Sequence, residues 1–241
     1  MSSVRTFVAI VAVVAGLATH AAAQQQCGPC GSDWVSYEMK DKISLNTSLT
    51  VTSPFTSGSI FLTKTHRLLV PAGLNGAGPA SPEPHYLGVE LLPGTYDTTT
   101  TPLLTFTTAL GTVTFKPGQL KFFYDPSSKS LTPPVPPAPQ PTAPKLCFAA
   151  RSGSTGPKSK LTTVDQFGTQ QPSLTGVDYA CVDVSLDGSI PTENWMVCFN
   201  QKTKPALFPP DVWLTTQDLG SFPDIRMDPL DEVCVQAQVQ P

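Results

Sequence analysis

Leu161-Thr162-Thr163-Val164-Asp165-Gln166-Phe167-Gly168 decides the reading of this chain, because it returns as Leu214-Thr215-Thr216-Gln217-Asp218-Leu219-Gly220 between matching flanks. Leu146-Cys147-Phe148 precedes the first and Tyr179-Ala180-Cys181-Val182-Asp183 follows it. Val197-Cys198-Phe199 precedes the second and Glu232-Val233-Cys234-Val235-Gln236 follows it. A recurring unit specifies architecture before chemistry. Two earlier stretches carry the pattern without cysteines. One runs from Trp34-Val35-Ser36-Tyr37 through Leu49-Thr50-Val51-Thr52-Ser53-Pro54-Phe55 to Leu68-Leu69-Val70-Pro71. The other runs from Tyr86-Leu87-Gly88-Val89 through Leu104-Thr105-Phe106-Thr107-Thr108-Ala109-Leu110-Gly111 to Phe122-Phe123-Tyr124-Asp125. With Phe55, Leu110, Phe167 and Leu219 taken as equivalent, the steps are 55, 57 and 52 residues, which reads as four copies.

The flanks mix β-branched and aromatic residues, and Thr112-Val113-Thr114-Phe115 alternates polar and apolar. That pattern makes strands, and no segment holds a helical period. Asn75-Gly76, Lys116-Pro117-Gly118 and Asp187-Gly188 favour reversals, the last placed to join the final two copies. Thr132 to Pro144 is dominated by proline, which fixes φ and lacks a backbone donor, so it reads as a stiff spacer. The expected fold is all-β: two antiparallel β-sandwich or small-barrel domains joined by a Pro-rich linker. The divisions are 1–23 signal peptide, 24–33 Cys-Gly-Pro-Cys segment, 34–131 first β domain, 132–145 linker and 146–241 second β domain.

Arg5, the apolar run Phe7 to Leu17 and Ala21-Ala22-Ala23 form a secretory signal pattern. The run is shorter than the roughly 20 residues that span a bilayer, so no transmembrane segment is expected in the mature chain. Localisation is therefore expected to be extracellular or periplasmic. Six cysteines in an exported chain read as disulfides. The copies favour Cys147–Cys181 and Cys198–Cys234, leaving Cys27 with Cys30; Cys181–Cys198 with Cys147–Cys234 is the rival plan. A formal net charge of −3 and no basic stripe give no footprint for nucleic acid.

The chain resembles uncharacterised secreted bacterial proteins with tandem Cys-Tyr-x-Val, Asp-Gln-Phe-Gly and Leu-Cys-Val-Pro elements. Cys147-Phe148, Asp165-Gln166-Phe167-Gly168 and Cys181-Val182 follow that order. Leu68-Leu69-Val70-Pro71 matches the last element with Leu69 in the cysteine's place. The resemblance implies a β-rich exported module of unknown function and carries over no catalytic residue.

Candidate chemistry is sparse. Cys27-Gly28-Pro29-Cys30 has the order of a thioredoxin-type redox site, but that chemistry needs a helix after it, and Asp33-Trp34-Val35-Ser36 leads into a strand. Of the histidines, only His66, expected on a solvated strand approach, and His85, in a Pro-rich connection, outlast the signal segment. Neither accompanies a Gly-x-Ser-x-Gly elbow or a helical His pair. Asp224, Asp228, Asp231 and Glu232 read as an acidic turn, without the regular calcium-loop spacing. Trp34, Trp195 and Trp213 read as core more than as sugar-stacking platforms. Asn46-Thr47-Ser48 is a formal glycosylation sequon. The expectation is a secreted, non-catalytic β-repeat protein with no cofactor or metal. It would serve extracellular binding or envelope structure, its partner an extracellular glycan, protein or envelope component. The alternative is an exported enzyme, either a hydrolase or a thiol oxidoreductase using Cys27 and Cys30.

Overall fold

Runs such as Leu146-Cys147-Phe148 and Val233-Cys234-Val235 are apolar at successive positions, as strands buried on both faces require. The computed structural model describes residues 33–79, 84–93, 95–137, 139, 141–202 and 207–240, and shows why both faces are covered. Residues 1–23, expected to be a signal peptide, and Cys27 and Cys30, expected to pair, lie outside the described residues.

Of the four stretches that the sequence reads as copies, the first forms β1 (Asp33–Met39), β2 (Ser44–Thr52) and β3 (Ser57–Leu74). The second forms β4 (His85–Pro93), β5 (Leu104–Thr108), β6 (Gly111–Phe115) and β7 (Pro117–Ser130). The third forms β8 (Lys145–Ala150), β9 (Thr163–Asp165), β10 (Gly168–Gln170) and β11 (Leu174–Asp183). The fourth forms β12 (Trp195–Gln201), β13 (Val212–Thr216), β14 (Ser221–Ile225) and β15 (Met227–Val239). Antiparallel ladders join β1 to β3, β3 to β4, β4 to β7, β7 to β8, β8 to β11, β11 to β12 and β12 to β15. β15 then pairs with β1 and closes the ring. The result is an eight-stranded up-and-down barrel to which each copy contributes its first and last strand.

This corrects the expected division into two bodies. β7 and β8 flank the proline-rich stretch and pair with each other. A four-strand half would expose two open edges, and each half closes the other's. The proline-rich stretch is a connection on one wall. Two of its carbonyls take side-chain donors: Thr215 Oγ1 donates to Pro136 O at 2.5 Å and Ser128 Oγ to Pro137 O.

Inward positions fall in three layers that the registers fix. The middle layer is Ser36 opposite Leu69, Gly88 opposite Tyr124, Cys147 opposite Cys181, and Cys198 opposite Cys234. Both cysteine pairs are disulfide-bonded, which is the first of the two pairing plans. Ser36 and Leu69 therefore stand where the later copies carry a disulfide. The S36C/L69C double variant is expected to oxidise to a third cross-strand bridge, seen as a loss of two free thiols on titration. Two persistent thiols would show that the first copy is not built like the last two. Gly88 is needed because Tyr124 covers it: a Cβ there would lie 2.5 Å from the ring's Cε1. Gly88→Ala should cost about 1–3 kcal/mol of overpacking in urea unfolding, without changing the far-ultraviolet circular dichroism.

Outward residues of the barrel, among them Val35, Leu68, Leu87, Phe123, Phe148, Val197 and Val233, are also fully buried. The middle segment of each copy covers them, like a flap laid on the opposite copy. Thr52 exchanges backbone hydrogen bonds with Ser185 beyond β11, while β5 pairs with β15, β9 with β3 and β13 with β7. The four flap tips carry related turns, closed two residues on in the first three and three residues on in the fourth. Ser53 Oγ, Thr108 Oγ1, Asp165 Oδ1 and Thr216 Oγ1 accept from the N–H of Phe55, Leu110, Phe167 and Leu219 at 3.1, 3.1, 2.7 and 3.0 Å. Those four apolar residues pack on the core beneath. Gly111, Gly168 and Gly220 follow three of them at positive φ, which only glycine adopts without strain.

Candidate functional site

The last strand of every copy carries a bulge at one level. Register shifts at Thr65/Arg67 in β3, Leu120/Phe122 in β7, Val177/Tyr179 in β11 and opposite Ser36/Tyr37 in β15 each insert one residue. The inserted residues are His66, Lys121, Asp178 and Asp231, all titratable. Each stands three positions before the cysteine place of its copy, held by Leu69, Tyr124, Cys181 and Cys234. A bulge breaks the in–out alternation and re-aims a side chain, and such irregularities gather at barrel rims. The residues that follow, Arg67, Phe122, Tyr179 and Glu232, form the inward layer with Glu38, Glu90, Ala149 and Asn200.

Contacts cross the ring at this layer. Arg67 Nη1 lies 2.5 Å from Glu232 Oε2 and 2.9 Å from Asp231 Oδ2. Its guanidinium sits 5.0 Å from the Phe122 ring centre. Tyr179 donates to Glu232 Oε2 at 2.6 Å, and the Tyr179 and Tyr124 hydroxyls are 2.7 Å apart. Glu232 is fully buried, and its Oε1 has no donor. Burial pushes the Glu232 carboxyl up to about 8, against the pull of Arg67, and it hydrogen-bonds to Asp178. Burial opposes ionisation of Asp178 too, yet the Glu232 hydrogen bond and the Lys121 ammonium hold it below the usual carboxylate range. Glu232 is thus a neutral acid donating to an ionised Asp178. Burial tends to lower Arg67, but Glu232 and the neighbouring acids keep it above its ordinary value.

His66 belongs to this mouth, not to a solvated approach as expected. Its Nδ1 accepts from Arg67 Nε at 3.1 Å, and its Nε2 lies 2.9 Å from Glu90 Oε1 and 3.6 Å from Glu38 Oε1. Burial and Arg67 depress it to about 4, so it is neutral with the proton on Nε2. The acidic turn expected at the C-terminus is also redrawn. Asp231 and Glu232 enter the barrel mouth as part of β15, while Asp228 pairs with Lys40 at 3.6 Å.

His85 is elsewhere, at the other barrel end, within 3.1 Å of Gln166 Nε2 and depressed to about 3 by burial and Lys129. Ser127 faces it across the ladder, but the Ser127 hydroxyl has no hydrogen-bond partner. Asp125 next to it accepts from the N–H groups of Asp218 and Leu219. Trp34 points into the barrel, donating to Pro84 O at 3.1 Å, while Trp195 faces outward beneath Phe55 and Phe106. Trp213 is half-buried on β13. Among the described residues no group of three or more His, Cys, Asp or Glu side chains could hold a metal ion, and no helix is long and apolar enough to cross a membrane. Comparison of the chain with protein-family models, curated proteins and solved structures found no match.

Proposed function

We propose that this is an exported, non-catalytic β-repeat protein that serves extracellular binding or envelope structure. The observation that carries the reading is the filled barrel axis. Side chains from all eight barrel strands meet in one cluster with both disulfides, so recognition falls to the rim and the connecting loops. Two cross-strand disulfides inside the barrel support an oxidising compartment. The likeness of the cysteine and Asp-Gln-Phe-Gly elements to secreted bacterial repeat proteins supports it too, and we infer that duplication produced the four copies. The partner class is a glycan, a protein or another envelope component. The mature protein, immobilised and screened against glycans and envelope fractions, is expected to retain one class of component. Hydrolytic turnover lost in His66→Ala, or thiol–disulfide turnover lost in Cys27→Ser, would instead favour an enzyme.

A further inference from the structure

At the bulged end, the two barrel strands of the second copy part company. Their last paired residues are Glu90 and Phe122. Beyond them β4 follows β3 as far as Pro93, while β7 lies against β8 back to Pro117. The wedge between them holds an open cavity of about 370 Å³. That volume is within the range of small-molecule sites, roughly 300–1,000 Å³. Leu91, Leu92 and Leu120 form its apolar wall, and Arg67, Lys121 and Glu90 are its charged groups.

We propose that this wedge binds a small amphiphilic carboxylate, its head between Lys121 and Arg67 and its apolar part against the three leucines. The two cations lie over the Phe122 ring, Lys121 at 5.3 Å and Arg67 at 5.0 Å from its centre, so both face the cavity floor. Their counter-charges Asp178, Asp231 and Glu232 come from β11 and β15 and do not line the cavity. The one carboxylate in the wall, Glu90, is already held by His66 at 2.9 Å and Lys64 at 3.1 Å. An ammonium and a guanidinium each carry more donors than one carboxylate takes up, so a ligand carboxylate would share Lys121 and Arg67 with Asp178, Asp231 and Glu232. Leu92 stands at the lip, 58% exposed. An apolar side chain there gains burial once an alkyl chain covers it. The proposal is independent of the exported binding role, since it needs no partner surface.

Hexanoate titrated into the isotope-labelled full chain is the direct test. Its amide resonances for Leu91, Leu92, Leu120 and Lys121 should shift saturably. Hexanamide should bind about tenfold more weakly, the loss of one charged contact, and hexylamine should leave those resonances unmoved. Lys121→Met should weaken hexanoate about tenfold. Leu92→Glu, at an exposed position, should weaken it as much by repelling the head. Absence of hexanoate shifts, equal shifts with hexylamine or hexanamide, or undiminished hexanoate binding in Leu92→Glu would each overturn the assignment.

Discussion

Reducing Cys147–Cys181 and Cys198–Cys234 together is expected to unfold the barrel at 37 °C. The bridges close chain separations of 34 and 36 residues. Loops of that size restrict the unfolded chain by about 3–4 kcal/mol each in the chain-entropy account. The pair therefore contributes about as much as the whole net stability of an ordinary domain, roughly 5–15 kcal/mol. Both sit in the middle inward layer, where they tie β8 to β11 and β12 to β15, neighbours in the same half of the ring. Thermal melts followed by circular dichroism, with and without a phosphine reductant, read the effect. Cys147→Ala/Cys181→Ala alone should lower Tm by roughly 6–16 °C for a chain of this size, and so should Cys198→Ala/Cys234→Ala. A reduced protein that melts within two or three degrees of the oxidised one would mean that ring closure and flap packing hold the fold unaided.

The disulfide plan was legible because each cysteine occupies a fixed place in its copy. The flap tips were legible for the same reason: Phe55, Leu110, Phe167 and Leu219 proved to be the four residues that anchor them. Closure into one ring was not. Nothing in the local sequence of β7 or β8 says that the chain returns through Thr132 to Pro144 to pair the two, because pairing is a long-range choice between open edges. The proline stretch looked like a spacer since proline signals stiffness and the lack of a donor; it does not signal direction. The charged mouth stayed hidden for a different reason. Strict alternation sends His66, Lys121, Asp178 and Asp231 outward, and only the bulges turn them in. The legible trace was their shared offset of three residues before each cysteine place. It was easy to miss because the four side chains differ in charge, and in the first two copies the place is held by Leu69 and Tyr124.

Replacing Arg67 with methionine should cost about 3 kcal/mol at pH 9 and distinctly less at pH 6. Breaking a buried ion pair by removing one partner typically costs about 3–5 kcal/mol, because the remaining charge has lost its compensation. Here the charge has an escape. Glu232, raised to about 8 in the fold against an ordinary 4.5, holds its proton when folded and releases it when unfolded. Its contribution to stability is complete below pH 4.5 and declines as pH rises towards 8, by up to about 1.4 kcal/mol per pH unit. At pH 6 Glu232 is neutral with or without Arg67, so the variant loses mainly the Phe122 contact and the pairing of Asp231. At pH 9 the native protein ionises Glu232 beside the guanidinium, whereas the variant must either bury an unpaired carboxylate or keep a proton at further cost. The native curve of stability against pH therefore flattens above 8, and that of Arg67→Met keeps falling. Glu232→Gln removes this group's titration, so in that background the Arg67→Met cost should vary far less between the two pH values. Urea unfolding of the three variants at pH 6 and pH 9 measures all of this. An equal Arg67→Met cost at both pH values would show that Glu232 is ionised throughout, and that the mouth is held by two fixed charges, with no proton shared between Glu232 and Asp178.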